Sequence, residues 1–191
     1  MMSTGIQLMS QQNVAQSRVR VRTADRAGDL GWVVMAHGEV YREQFGWDAS
    51  FEALVARIVA EYHEDRDETR EAAWIAEVDG QRAGCVFCVA GNEPDVARLR
   101  ILLVRPNARG LGVGTLLVKQ CLDFAREAGY RRITLWTNDV LTSARKIYLA
   151  FGFVLADEEP HHSFGHDLVG QNWTLDLSRS PSSNEHVSAA T

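Results

Sequence analysis

"ILLVRPNARGLGVGTLLVKQCLDFAREAG", Ile101 to Gly129, constrains the fold more than any other stretch of the chain. An apolar run passes Pro106 and three glycines at alternate positions, Gly110, Gly112 and Gly114, and continues with Leu116, Leu117, Cys121 and Phe124 on one helical face up to Gly129. Read as strand, glycine loop and helix, this segment gathers the unpaired N–H groups of a first helical turn at the positive end of its dipole, where an anion binds. Glycine lets the ligand approach the backbone, and Arg109 adds a fixed charge.

Which anion depends on the elements around the loop. "RVRVRT", Arg18 to Thr23, alternates as a half-buried strand, and a helix is expected from Asp25 to about Phe45. "SFEALVARIVAEYHED" repeats Leu54, Ile58, Val59 and Tyr62 at helical spacing with Ser50 as its cap, and the charge run His63 to Glu71 ends it as a solvated loop. "AAWIAEVDGQRAGCVFCVA" reads as a hairpin turning at Asp79-Gly80. "VARLRILLV", Val96 to Val104, adds a third strand whose apolar end implies cover on both faces. After the helix from Gly112 to about Ala128 come a strand "RRITLWT", a helix "LTSARKIYLAF" and two strands, "GFVLADEE" and "QNWTLDL".

The order β α α β β β α β α β β describes a mixed α/β (α+β) domain with a mainly antiparallel central sheet and flanking helices. A nucleotide P-loop is excluded, because no lysine lies between Gly114 and Thr115. A dinucleotide fingerprint fits poorly, with Thr115 where its third glycine belongs and a meander in place of a wound βαβ unit.

Arg109-Gly110-Leu111-Gly112-Val113-Gly114 resembles the Gln/Arg-x-x-Gly-x-Gly/Ala signature of the GNAT N-acetyltransferases. Asn138, Ala144, Tyr148 and Gly152-Phe153 fall where that family carries its second motif, and the resemblance spans Arg18 to Leu177. It implies the GNAT acyl-CoA N-acyltransferase fold and an acetyl-CoA-dependent transfer of an acetyl group to the amine of a small molecule or an exposed protein amino group. The alternative is a noncatalytic acyl-CoA sensor or regulatory interaction module. "LWTNDVLTSARKIYLAFGF" with "EEPHHSFGHDLVGQNWTLDL" is also similar to the acetyltransferase half of bacterial proteins fused to a MarR-type winged-helix regulator. A stand-alone version is expected, since about 17 residues precede the first strand.

The resemblance further implies roles. Leu102, Leu103 and Val104 would line the pantetheine arm, with a backbone N–H near Leu103 or Val104 as oxyanion donor. Residues Arg109, Gly110, Leu111, Gly112, Val113, Gly114 and Thr115 would take the pyrophosphate. Asn138 and Ala144 would contact the cofactor, although Asn138 also reads as a helix cap ahead of Leu141. Tyr148 would touch the cofactor and protonate the leaving thiolate, its bland alternative being an ordinary helix aromatic.

The base that deprotonates the amine stays open. Many relatives carry a glutamate on the strand before the loop, whereas Val96 to Val104 has no carboxylate. Glu43, beside Tyr41, Phe45 and Trp47 in the connection between the first two helices, is the candidate, followed by Glu77, Glu93, His162 and His166.

Other signals are weaker. Cys85 and Cys88 have redox spacing but lie in a strand, where residues three apart face opposite sides, so they read as buried thiols. His161, His162 and His166 lack the ligands to complete a zinc site, so no metal is expected, and a loop between the last strands is their plainer reading. A net charge of −5 argues against nucleic acid, and no apolar run reaches the ~18 residues of a membrane span. A cytoplasmic protein follows as the expectation, with a homodimer implied by the resemblance. Residues 1–17 are expected to form a flexible leader, 18–177 the domain, and 178–191 a disordered tail.

Overall fold

The computed structural model describes residues 18–178. The expected leader, and the expected tail beyond Ser178, lie outside the described residues.

The hairpin begins where two consecutive residues can adopt positive φ. Asp79 and Gly80 do so at 50° and 79°, the primed turn geometry that matches strand twist. They join β2 (Ala72–Val78) to β3 (Gln81–Ala90), with β1 (Val19–Thr23) on the outer side of β2 and β4 (Val96–Val104) beyond β3. All these pairings are antiparallel. β5 (Arg132–Asn138) joins β4 in parallel, and β7 (His166–Asp176) and β6 (Val154–Ser163) complete a seven-stranded sheet in the order β1-β2-β3-β4-β5-β7-β6.

Helices cover both faces because the strands between them are apolar on both. α1 (Asp29–Phe45) and α2 (Ala49–Asp65) pack Val33, Ala36, Val55 and Val59 against Ile75, Cys85 and Phe87. α3 (Val113–Glu127) packs Leu117, Val118 and Cys121 against Trp74, Val86 and Cys88 on the opposite face, with Tyr148 of α4 (Thr142–Ala150) in the same core. Cys85 and Cys88 are fully buried in separate cores, so the sheet itself stands between the two thiols.

Several local expectations need correction. α1 starts at Asp29, four residues later than the periodicity suggests, because the buried Asp29 carboxylate accepts the Arg26 amide (3.0 Å) and Gly28 turns the chain at φ 86°. The cap of α2 is Asp48, whose carboxylate accepts the Ser50 amide at 2.9 Å. The helix then runs through His63 to Asp65, taking in the start of the charge run. The largest difference is the last hairpin: β6 and β7 continue to a two-residue turn at Phe164-Gly165, with φ of 58° and 80°. His161, His162 and His166 therefore lie on strands, not in a loop.

β4 also departs from a fully covered strand. Its pairing with β5 ends at Leu99–Leu135, while β5 continues on β7 through Asn138. Opposite Val86, β4 carries a bulge between Arg100 and Leu103, and Ile101 holds φ at 45°. A β-branched residue in the left-handed region costs on the order of 1–2 kcal/mol. The bulge turns Leu103 to the α1/α2 side, whereas Leu99 faces the α3 side. Arg100, Ile101, Leu102 and Val104 are only half-buried, since the parting of β4 from β5 opens a cleft there.

Candidate active site

The loop after β4 contains a short 3-10 turn, Pro106–Ala108, and then Gly110 and Gly112 at φ 78° and 77°. A Cβ on either glycine would meet no protein atom within 4 Å, so both present bare backbone to open space. Gly112 caps α3, whose first amides have no intrahelical acceptor. Gly114 has a different role: a Cβ there would lie 2.6 Å from Ile147 Cδ1, so its bareness lets α4 approach α3.

This loop forms one wall of a cavity of about 530 Å³. Of the residues expected to hold a cofactor, Leu102, Leu103, Val104, Arg109, Gly110, Gly112, Val113, Gly114, Thr115 and Ala144 line it. Leu111 does not line it and is exposed. Arg109 is held across the cavity mouth by Gln44 of α1, its Nη2 donating to Oε1 at 2.7 Å.

A second cavity, of about 210 Å³, adjoins the first, and Tyr41, Leu102, Leu141 and Ala144 line both. Asn138 and Tyr148 open into this smaller cavity only. The Asn138 side chain accepts from His161 Nε2 at 2.9 Å and does not cap α4. Tyr148 is 4% exposed, its ring tilted against Phe153, and burial pushes its phenol well above the usual range. The rim comes from the α1–α2 connection and the last hairpin together. Phe164 packs on Trp47 and Phe51 with ring centroids 4.8 and 5.0 Å away, and its carbonyl accepts the Asp48 amide.

The carboxylates proposed from sequence are not at this site. Glu43 is exposed within α1, not in the connection after it, and lines neither cavity. Glu77 is taken by Arg22 (2.6 Å) and Arg26 near β1, and Glu93 is exposed before the start of β4, at the end remote from the loop. His162 pairs with Asp167, and His166 Nε2 donates to the Gly46 carbonyl behind the rim. No Asp or Glu lines either cavity. Among the described residues, no three His, Cys, Asp or Glu side chains cluster as metal ligands, and no helix is long and apolar enough to cross a membrane.

The residue that sequence reading missed is His37. It is 1% exposed, lines the smaller cavity and lies stacked on Tyr41. Nδ1 donates to the Val33 carbonyl at 2.8 Å, which leaves the lone pair on Nε2, and Nε2 has no partner. In sequence it is one more residue of a helix; only the packing of α1 against the cleft singles it out.

Burial lowers the His37 pKa to about 4, outweighing its bond to Val33. The unfolded imidazole titrates near ~6.5, so between about 4 and 6.5 the unfolded chain takes up a proton that the native one does not. His37 therefore contributes stability that is fully present above ~6.5 and falls by up to roughly 3 kcal/mol as pH drops through that window. His37→Gln is expected to flatten this part of the curve, read as the urea midpoint at several pH values. An unchanged slope would remove His37 as its source.

Comparison with known proteins agrees with this geometry. Residues 37–153 match the model of the Acetyltransferase (GNAT) family. An uncharacterized N-acetyltransferase of Schizosaccharomyces pombe is 28% identical over 122 residues, 64% of this chain and 75% of that protein. The N-acetylaspartate synthetase of Xenopus tropicalis is 34% identical over 89 residues, 47% of this chain, but the chain spans only 33% of that relative's length. Among solved structures, yncA of Salmonella typhimurium, assigned as an acetyltransferase and solved with its cofactor acetyl-CoA, superposes with a TM-score of 0.69 at 17% identity, covering 90% of this chain and 97% of that one. The ribosomal-protein-S18-alanine N-acetyltransferase of Escherichia coli gives 0.62, also at 17% identity, covering 90% and 99%. With a family model matched through the parted strands, the glycine loop and α4, the chain belongs to the acetyltransferase (GNAT) family.

Proposed function

We propose that this protein transfers the acetyl group of acetyl-CoA to an amine, with the larger cavity holding the donor and the smaller one the acceptor. The observation that carries this reading is the junction of the two cavities at Tyr41, Leu102, Leu141 and Ala144, beside the free edge of β4. The residues present suit the donor. Bare backbone at Gly110 and Gly112, the N-terminus of α3 and Arg109 match a pyrophosphate, and the β4 edge beyond Leu99 offers unladdered peptide groups to an amide-bearing arm.

Acetyl-CoA supplies an activated thioester; the protein has to orient it and manage two protons. A β4 amide near Leu103 or Val104 is the oxyanion donor in this reading, and Tyr148 the proton source for the thiolate. Glu43, which lines neither cavity, is replaced in this reading by His37, whose Nε2 lone pair can take a hydrogen bond from the incoming nitrogen. The absence of a lining carboxylate is the observation that favours the alternative, a noncatalytic acyl-CoA sensor. A net charge of −5 supports a protein working away from nucleic acid.

Calorimetric titration with acetyl-CoA, followed by thiol release in the presence of amines, tests the reading; no acetyl-CoA binding would sink it. Gly112→Val is expected to weaken acetyl-CoA binding about tenfold or more, because a branched side chain disfavours φ 77° and would fill the open approach to the α3 amides. Unchanged affinity would count against the loop as the phosphate site.

A further inference from the structure

Arg98 and Arg100 are two residues apart on β4, so their side chains leave the same face of the sheet. Their register partners on β3, Val89 and Phe87, both pack with the α1/α2 core, which identifies that face. Both arginines are half-buried and both line the smaller cavity. Neither guanidinium makes a hydrogen bond or an ion pair among the described residues, whereas Arg22 and Arg82, also half-buried on strands, are both paired to carboxylates. Glu61 of α2 is the acid whose charge reaches Arg100, and it does not bond to it. Burial, and then Arg98 beside it, hold the Arg100 pKa below the usual guanidinium range.

Two cations with no bonded carboxylate, in a cavity that no Asp or Glu lines, call for an anion. The pyrophosphate is an implausible source of that charge, since Arg100 is four residues before Val104, about 13 Å along a strand. Leu102, where the two cavities meet, is two residues from Arg100, roughly 7 Å, the span of a guanidinium holding a carboxylate whose adjacent amine points at the junction. Phe51, Leu54 and Ile58 form an apolar wall beside it.

We propose that Arg98 and Arg100 bind the carboxylate of the acceptor, which is an α-amino acid with an apolar side chain. This rests on the acetyltransferase reading for the amine and stands independently of it for the carboxylate. A peptide N-terminus carries its amine without the neighbouring carboxylate, and so is disfavoured.

The binding test uses 3-phenylpropanoate and the neutral 3-phenylpropan-1-ol, titrated by calorimetry into the protein. The acid is expected to bind about tenfold tighter or better, and Arg98→Gln or Arg100→Gln to lose that preference while acetyl-CoA affinity and the thermal midpoint hold. No binding of the acid, equal binding of the alcohol, or an unchanged preference in both variants would overturn the proposal. In turnover, leucine is expected to outpace leucinamide and isopentylamine in kcat/KM. Carboxylate binding without thiol release from any amine would sink the transferase reading alone; turnover indifferent to the carboxylate would sink this proposal alone.

Discussion

Tyr148→Phe is expected to lower turnover about 10²-fold or more while acetyl-CoA affinity stays as it was, because the substitution removes one proton donor and no packing. The ring lies 5.7 Å from Phe153 in the α3-side core, and its hydroxyl makes no hydrogen bond within the described residues. The phenol faces the smaller cavity, and burial keeps it protonated at any working pH. A thiolate leaving at the junction of the two cavities would be desolvated too, so both partners become more basic together and the transfer remains feasible. Stopped assays of free thiol, with calorimetry of acetyl-CoA on the same variant, check it. Full turnover would remove Tyr148 as the acid, and no turnover in the parent protein with acetyl-CoA bound would favour the sensor.

Asp29→Ala is expected to lower unfolding stability by roughly 3–5 kcal/mol, the loss seen when one partner of a buried ion pair is removed. Asp29 is fully buried at the start of α1 and accepts from Arg22 (2.6 and 3.0 Å), Arg82 (2.8 Å) and the Arg26 amide (3.0 Å). Burial alone would raise its pKa, but the Arg22 bonds with the Arg26 amide and Arg82 outweigh it and hold the carboxyl below the ordinary range. Without Asp29, the Arg22 side chain, 7% exposed, keeps Glu77 as its one carboxylate beside the Thr23 carbonyl, and the amide that sets the start of α1 loses its acceptor. The urea midpoint measures the effect, and a change under about 1 kcal/mol would show the network to be dispensable. With its pKa lowered on folding, Asp29 contributes stability above the unfolded carboxylate range and loses it as pH falls.

Features set by neighbours in the chain were legible beforehand. The primed turn at Asp79-Gly80, the loop from Arg109 to Gly114 and the opposed faces of Cys85 and Cys88 follow from φ preference, helix-end chemistry and strand alternation. Features set by distant partners were not. Asp48 displaces Ser50 as cap because the tip of the last hairpin holds the Asp48 amide, a contact spanning more than a hundred residues. The same contact explains why His161, His162 and His166 lie on strands: the half-buried Phe164 packs on Trp47 and Phe51, and the turn it anchors extends both ladders.

The sequence by itself determined the order of elements, the mixed sheet and the glycine loop that leads into α3, since each depends on periodicity and backbone preferences within a few residues. Only the tertiary structure decided what shares the cleft. The bulge at Ile101 and the parting of β4 from β5 arise from pairing between strands, and no single strand encodes where its ladder stops. That parting brings His37, Arg98, Arg100 and Tyr148 to one cavity and leaves Glu43 outside it, because membership of a site depends on which faces pack together and not on spacing along the chain.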